Sequence, residues 1–457
     1  MSLTARKARK DLSADALFQL LHSRFDDIPD PRTGDSAVPL GDALMAGFAM
    51  FSLKDPSLLA FDERRTDPND NFRTIYGIEH LPCDTQLRAI LDPVDPEQLR
   101  PVFGAVFRRL QRGKALEAFV YLEGCYLISL DGSQYFASRK VHCPGCLVKH
   151  HRDGSVSYSH QLLGATLVHP DLKEVIPLAP EPIINQDGHT KNDCERNATR
   201  RWLLHFRREH PHLAVIIVED ALSANAPHLR DLRAAHVHYI IGVKPGDHAF
   251  LFQYLAAIAD AGQAPTLTQV DEATGILHHF RFYNGVPLNE SNPDERVNVL
   301  EYWEIHPDGR VQHFSWITYF VLMPDNVYAI MRGGRARWKI ENETFNTLKN
   351  QGYHLEHNYG HGAEHLSVVL MLLMMLAFLV DQTQQRCCPV FQAARAARRT
   401  KRSLWEEIRN LFRAFRFSAM TELLQAVAQG IECQPPVRSG GESTARGCWA
   451  GYTWAGL

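Results

Sequence analysis

The spacing of hydrophobic and polar positions changes three times along the chain. Over residues 12–114, apolar side chains recur every three or four positions, which predicts amphipathic helices. Over residues 119–244, strand-like apolar runs alternate with a helical segment, a pattern typical of a mixed α/β sheet. Residues 245–323 carry alternating segments between turn-rich spacers and predict antiparallel strands, and helical spacing returns from residue 326.

These changes predict an α/β protein in which helical segments flank a mixed sheet. Gly, Ser and Pro accumulate at the C-terminus, so we expect that tail to be poorly ordered. The predicted parts are a helical domain at 1–117, an α/β core at 118–245 and 325–385, an inserted antiparallel β layer at 246–324, a basic helical segment at 386–433 and a tail at 434–457.

Composition restricts the class of protein only in part. The net charge of −3 over 457 residues neither supports nor excludes a nucleic-acid partner, because phosphate contacts need only a local stripe of Lys and Arg. Nine cysteines and no visible signal peptide predict a reducing cytoplasm. The apolar run at 366–380 is shorter than the roughly 20 residues that span a bilayer. It therefore predicts a buried helix and no membrane association.

Two aspartates follow strand-like runs. Asp131 comes after YLISL and before Gly132, which permits a tight exit from a strand. Asp220 ends LAVIIVED, whose apolar residues suit a strand buried on both faces. An isolated Asp-Gly is more often a solvated turn. Two strand-end carboxylates together, however, could hold divalent metal at one edge of a sheet.

A third acid, Glu341, lies in the helical segment RARWKIENETFNTLK. At about 100° per residue, an α-helix places Glu341 on the same face as Trp338, Phe345 and Leu348. Burying an unpaired carboxylate costs several kcal/mol, so this interruption of an apolar face predicts pairing with a cation or a metal. The alternative is an ion pair between Glu341 and Arg337, one turn earlier.

Together these residues resemble the DDE transposases of bacterial insertion sequences, whose catalytic domain has a ribonuclease H-like fold. The resemblance covers roughly residues 119–361, including GHTKNDCERNATRR, GYHLEHNYGHG and a β-rich insertion before the third acid. In that family the third acid lies on a helix in a recurring pattern with Arg, Trp, Ile, Phe and Lys. The matching residues here are Arg337, Trp338, Ile340, Glu341, Phe345 and Lys349.

The match departs from the best-known subgroup at two positions. That subgroup has a Tyr three residues before the Arg and a Lys seven residues after the Glu, where this chain has Gly334 and Leu348. Lys349 lies one step further on. The DNA-hairpin intermediate associated with the full signature is therefore not implied here.

The resemblance implies a polynucleotidyl transferase that depends on two Mg²⁺ or Mn²⁺ ions. Asp131, Asp220 and Glu341 would be both the catalytic residues and the metal ligands, with Asp131 shared between the ions. Water would attack at the element's end, and the freed 3′-hydroxyl would attack target DNA. The implied partners are double-stranded DNA, as terminal inverted repeats and target, and a second copy of the chain in a homodimer. The implied location is the bacterial cytoplasm, at the nucleoid.

Basic residues form three candidate DNA surfaces. They lie along the predicted helix at 196–208, just before Glu341, and at 395–402. Any one such cluster is more often a solvated face. The N-terminal helices could include a helix-turn-helix, although no spacing identifies a recognition helix. The predicted DNA-binding residues are Arg337, Lys349, Arg335 and Lys339.

The segment HCPGCLVKHH suggests a second metal site. A C-x-x-C pair followed by histidines could supply three or four ligands to a structural Zn²⁺ ion. No second C-x-x-C exists, so a reduced cysteine pair in a hairpin is the alternative. The candidate ligands are Cys143, Cys146, His150 and His151, with His142 or His160 as further partners.

Two other functions remain open at this point. A metal-dependent DNA nuclease would use the same acids but stop at hydrolysis. A domesticated DNA-binding relative would have lost the chemistry altogether. The intact set of three acids favours an enzyme over the second alternative.

Overall fold

The computed structural model describes residues 9–34, 36–185 and 193–430. The predicted tail at 434–457 lies outside these residues.

Helices from both ends of the chain enclose a mixed sheet, and several begin at a side-chain cap such as Ser13, whose hydroxyl accepts from the Ala16 N–H. The described α-helices, α1 to α15, are Ala14–Asp26, Leu40–Leu53, Leu58–Asp62, Asn71–Tyr76, Asp84–Leu91, Arg100–Arg112, Glu195–Glu209, Ala226–Ala234, Ala249–Asp260, Val327–Arg335, Asn346–Asn350, Leu366–Cys387, Pro389–Ala396, Lys401–Ala414 and Met420–Gln429.

The described strands form one sheet around a parallel centre. Strand β1 pairs in parallel with β6, and β6 with β7, while β3 lies antiparallel on the other side of β1. The order is β2-β3-β1-β6-β7-β11-β10-β9-β8, with β4 and β5 also on β3. The predicted ribonuclease H-like α/β fold is confirmed. The strands, β1 to β11, are Tyr126–Ser138, Leu147–His150, Val156–Val168, Ile176–Pro177, Glu181–Ile183, Val215–Glu219, His238–Gly242, Thr266–Val270, Leu277–Asn289, Asn292–Ile305 and Val311–Thr318.

The inserted strands continue the central sheet. Strand β11 pairs antiparallel with β7, and the long strands β10 and β9 follow it. This pairing satisfies the backbone groups that an uncovered edge of β7 would expose. The same region contains one helix, α9, where the sequence pattern indicated strands only. Its inner side carries Leu251 and Leu255, one turn apart, and it packs on β9.

The N-terminal and C-terminal helices pack around a shared helix, α12 (Leu366–Cys387). Its most apolar stretch is completely buried, as the run at 366–380 predicts. By length and composition alone α12 could cross a membrane, as could the sharply bent pair Leu40–Leu53 and Leu58–Thr66, but α12 serves here as a core helix. Helix α2 packs along α12, and the C-terminal helices α14 and α15 contact α2 and α1.

A buried ion pair joins the end of α2 to α12. Lys54 Nζ lies 2.6 Å from Asp381 Oδ2, and the Tyr353 hydroxyl donates to the same carboxylate. The Lys54 ammonium also lies 4.0 Å and 4.1 Å from the ring centres of Tyr353 and Trp405. Burial lowers the pKa of Lys54 and raises the pKa of Asp381, and the partner charge opposes each shift. Loss of either partner would leave an uncompensated buried charge.

Candidate active site

Asp131 lies within β1, on the face covered by the chain after α10. The prediction that Asp131 ends a strand is wrong, because the pairing of β1 with β3 continues to Ser138. Its register partner on β3 is Gly164, where a Cβ would stand 2.8 Å from the Phe345 ring. Ser129, two residues earlier on the same face, donates from Oγ to the Arg337 carbonyl oxygen at 3.1 Å. Glycine at position 164 therefore lets the segment that carries the third acid lie directly on β1 and β3, beside Asp131.

Asp220 directly follows β6, the neighbour of β1. The parallel pairing of β1 with β6 ends at Ser129 and Val218, so Asp131 and Asp220 each lie two residues beyond the same pair. Asp220 Oδ1 accepts from the Leu222 N–H at 3.0 Å, which caps a short 3₁₀ turn. The preceding Glu219 lies 2.6 Å from His228 on α8, both buried, and this contact fixes the end of β6. Burial lowers and Glu219 raises the pKa of His228, with a net rise.

Glu341 lies on a π-helix, Ile340–Phe345, which the sequence pattern predicted as α-helix. Ile340 and Phe345 face the core, whereas Glu341 is exposed and the Trp338 side chain is 50% exposed. The predicted apolar face containing Trp338 and Glu341 is therefore wrong. In a π-helix the backbone hydrogen bonds join residues five apart, and in an α-helix they join residues four apart. The buried positions of a π-helix therefore follow a different spacing from the one that the α-helical prediction assumed. We assign Glu341 to the site because its charge acts on Asp131.

The carboxyl group of Asp131 experiences charges of both signs. Burial raises its pKa, Arg337 lowers it, and the charges of Asp220 and Glu341 raise it, to about 6 in total. Arg337 Nη1 lies 3.4 Å from Asp131 Oδ2. Arg337 therefore contacts Asp131, in place of the Glu341 ion pair considered as the alternative. Asp220 and Glu341 therefore both lie within electrostatic reach of Asp131.

A fourth acid, Glu195, lies at the same place. It begins α7, and a Cβ at Gly132 would stand 2.1 Å from its Oε1, so the glycine allows this carboxylate to lie against β1 in its present position. Burial and then the charges of Asp131 and Asp220 raise the pKa of Glu195. The sequence carried no signal for this role, because an acid in the first turn of a helix is common for reasons of helix capping and dipole alone.

Asp131, Asp220 and Glu195 open onto a cavity of about 570 Å³, whereas Glu341 does not line it. Its walls include Asp131, Glu195 and Asp220, together with the basic residues Lys149 and Arg196. Oxygen donors suit a hard divalent cation such as Mg²⁺, and a cation here would offset the repulsion that raises the pKa of Asp131.

Among the described residues, the predicted triad is not one of the groups whose ligand atoms all lie within 4.8 Å of one another.

Glu97, Glu181 and His205 do form such a close group, away from the cavity. Arg100 contacts both glutamates, with Glu181 at 2.6 Å, and Arg201 contacts Glu181 at 2.6 Å. The negative charges are therefore already matched by guanidinium groups. We interpret the group as an ion-pair network that joins α6, β5 and α7.

Two of the four predicted DNA-binding residues contact other parts of the protein. Arg335 pairs with Glu304 on β10, and its guanidinium lies 4.9 Å from the Phe314 ring centre. Lys339 donates to the Leu172 carbonyl oxygen at 2.7 Å. Both side chains therefore hold the segment before Glu341 against its neighbours.

The other two, Arg337 and Lys349, lie on either side of Glu341 in sequence. Arg337 contacts Asp131 and lies 4.6 Å from the ring centre of the exposed Trp338. Lys349 pairs with Glu356 at 2.9 Å near the surface. A surface ion pair of this kind is weak and can exchange for a phosphate contact.

The two departures from the family signature have local causes. A Cβ at Gly334 would stand 2.4 Å from Trp316 Nε1, so the indole from β11 occupies the space that a Tyr would need. Leu348 is completely buried, whereas Lys349 is partly exposed. The basic side chain therefore reaches the surface one residue later than the signature indicates.

Two cysteines and two histidines converge at the other end of the β1–β3 pair. We call this set the thiol–imidazole cluster, and its ligand atoms all lie within 4.8 Å of one another. The predicted candidates His150 and His151 lie elsewhere on the hairpin, and His151 Nε2 contacts Ser157 Oγ at 2.8 Å. The cluster consists of Cys143, Cys146, His160 and His361.

The sequence suggested His160 only as a further partner and gave no reason to include His361. His361 lies more than 200 positions after the cysteines and enters the cluster through the tertiary fold. The available signal was its place in GYHLEHNYGHG, a stretch that the family resemblance includes.

Comparison with known proteins identifies a family for part of the chain. A family model described as the transposase DDE domain matches residues 172–379, a range that includes Asp220 and Glu341 and begins after Asp131. No curated protein matches the chain. Two of the acids lie inside the matched range and the third on the adjacent strand, and the match supports a DDE-type transposase of an insertion sequence.

Proposed function

We propose that this protein cleaves the DNA backbone at the ends of an insertion sequence and joins the freed 3′-hydroxyl to target DNA. One observation carries the proposal. Asp131, within β1, lies close enough to two acids from different elements, Asp220 after β6 and Glu341 on the π-helix, for their charges to add to the rise in pKa that burial causes. Carboxylates gathered in this way serve to hold divalent cations beside a scissile phosphate.

In this proposal Asp131 is the shared carboxylate, and Asp220 and Glu341 each hold one side of the site. Bound Mg²⁺ or Mn²⁺ would activate the attacking oxygen and stabilise the leaving oxygen. A pKa of about 6 for Asp131 means that protons compete for this carboxylate near neutral pH. Arg337, freed from Asp131 when a cation takes its place, would turn its guanidinium toward a phosphate oxygen.

The DNA would reach the acids across the cavity. Lys149 and Arg196 lie in its walls, and Trp338 presents a half-exposed indole beside Glu341. A planar aromatic side chain at this position can stack on an unpaired base at a cleaved end, and the basic groups can contact the backbone. Because both ends of an element must be joined, we propose that a homodimer assembles on the terminal repeats.

The proposal is tested with the full chain, pre-cleaved end DNA, a second duplex and Mg²⁺. Joining of the 3′ end to the second duplex is expected from the unchanged protein and should be lost in Asp131→Asn. Cleavage of uncut ends without any joining would support the nuclease alternative. DNA binding that is unaffected by Asp131→Asn, with no cleavage by either protein, would support the non-catalytic alternative.

A further inference from the structure

The thiol–imidazole cluster brings together four ligand atoms that the proposed DNA chemistry does not use. Cys143 Sγ lies 3.4 Å from His160 Nε2, and Cys146 Sγ lies 3.3 Å from His361 Nε2. The two sulfur atoms are 4.0 Å apart. Each sulfur therefore has one imidazole nitrogen as a near neighbour, and the four atoms enclose a common centre.

These separations match a tetrahedral zinc site. With Zn–S of about 2.3 Å and Zn–N of about 2.0 Å, ligand atoms at tetrahedral angles lie roughly 3.3–3.8 Å apart. The sulfur–nitrogen distances fall at the lower end of this range, and the sulfur–sulfur distance is slightly above it. Two thiolates with two imidazoles is also a donor set that zinc occupies in structural sites.

The polar groups of the cluster have little else to satisfy them. His160 is 1% exposed and His361 is 7% exposed, and the Nδ1 atom of each is buried without a hydrogen-bond partner. Their remaining polar contacts are to sulfur, which is a weak hydrogen-bond donor and acceptor. The aromatic ring of Phe136 lies 4.2 Å from His361, centre to centre, and closes one side. A metal ion at Nε2 would supply the stabilisation that two buried imidazoles otherwise lack.

We propose that the thiol–imidazole cluster binds one Zn²⁺ ion as a closed structural site. All four positions of the tetrahedron are taken by protein, so no position is open for water or substrate, unlike a catalytic zinc site. The proposed ion is separate from the hard cations expected at the acids, because thiolate and imidazole select zinc where carboxylates select magnesium.

The site joins three segments that are distant in sequence. Cys143 and Cys146 lie in the turn between β1 and β2, His160 lies on β3, and His361 lies in the segment at 351–365, which has no helix or strand. That segment directly follows α11, which continues the π-helix of Glu341. Zinc would therefore tether the chain after Glu341 to the strand pair that carries Asp131. This last consequence rests on the proposed function, whereas zinc binding itself does not.

The first test measures zinc in the purified full chain by mass spectrometry after dialysis against metal-free buffer. We expect one zinc per chain, and we expect Cys146→Ser and His361→Ala each to lose it. The matched controls are His150→Ala and His151→Ala, which remove the histidines nearest in sequence, and Asp131→Asn, which alters only the acidic site. All three controls should keep the zinc. Retention of zinc in Cys146→Ser, or its loss in the controls, would overturn the assignment.

A second measurement needs no substitution and so is independent of whether the variants fold. The unchanged chain is produced with Co²⁺ in place of zinc, and its visible spectrum is recorded. We expect the intense bands of tetrahedral cobalt together with thiolate-to-metal charge transfer. A weak octahedral spectrum, or a disulfide between Cys143 and Cys146 in the protein as purified under reducing conditions, would show that the cluster is not a zinc site.

Discussion

The acidic site and the thiol–imidazole cluster share the β1–β3 strand pair but are built in opposite ways. On β3 their positions, Gly164 opposite Asp131 and His160, are four residues apart and on the same face, at a separation of about 13 Å. The acids are partly exposed, repel one another and adjoin a cavity. The cluster is largely buried and its ligand atoms already lie at metal-binding distances.

This difference shows what each site requires. A catalytic centre must admit DNA and must gain stabilisation only when its cations and substrate arrive, so unfavourable charge in the free protein is tolerated. A structural centre must be complete in the folded protein itself. The same two strands can satisfy both requirements because the ligands at each end come from different neighbouring segments.

The largest expected effect is a loss of strand-transfer activity when the acidic site is altered. Asp131→Asn and Glu341→Gln should each lower strand transfer at least about 10³-fold, since losing several kcal/mol of transition-state stabilisation costs a factor of ten per 1.36 kcal/mol. Joining of labelled end DNA measures the effect. The matched control is Glu343→Gln on the same helix, which should remain close to the unchanged protein. Full activity in Glu341→Gln would place the third acid elsewhere.

Removal of Mg²⁺ and removal of zinc should affect the folded structure differently. Omitting Mg²⁺ from the buffer should abolish joining reversibly and leave the segment at 351–365 protected. Stripping zinc with a chelator should expose that segment, and we expect its proteolytic cleavage to accelerate about tenfold or more, as for an opening made about 1.4 kcal/mol easier. Peptide mapping over time measures this. Equal protection in both treatments would contradict the contrast between a closed and an open site.

The free energy of unfolding without Mg²⁺ should show how much the ionisation of Asp131 costs the folded protein. The folded-state pKa of Asp131 is about 6, above its unfolded value, so ionisation lowers stability as pH rises from about 4 to 6. Asp131→Asn should therefore stabilise the fold by roughly 1–3 kcal/mol at pH 7.5 and have little effect at pH 4. Denaturant unfolding in EDTA at both pH values measures it. Equal effects at the two pH values would argue against this ionisation.

The smallest expected effect concerns the fourth acid. Glu195→Gln removes one negative charge from the neighbourhood of Asp131 without removing a predicted metal ligand. We expect the Mg²⁺ concentration for half-maximal joining to rise by about two- to tenfold, as for a single charge at partial exposure. A loss as large as that of Asp131→Asn would mean that Glu195 is itself a ligand.

The sequence was sufficient for the features that depend on local pattern. The apolar run before Asp220 predicted a strand buried on both faces, and all five residues of β6 are buried. The run at 366–380 predicted a buried helix, which α12 confirms. Asp220 was recognisable as a strand-end acid because the end of a buried strand restricts where a carboxylate can lie, whereas Asp131 lies within the longer strand β1.

Features that depend on distant contacts were not predictable in the same way. His361 joins the cluster, and Glu195 joins the acids, because loops and helices return to the strands after long separations in sequence. The exposed position of Glu341 was missed because a π-turn obeys a different repeat from the α-helical one that the spacing assumes. No local sequence pattern indicated that the helix changes from α-helical to π-helical spacing here.

The π-helix at Ile340–Phe345 also explains an offset in the family comparison. A π-turn contains one more residue than an α-turn. Each residue after it therefore lies one position later in the sequence at the same angle around the helix axis. Lys349 consequently takes the angular position that residue 348 would have on an uninterrupted helix. Alignments that demand constant spacing would judge this basic side chain absent, whereas comparison by direction around the axis recovers it.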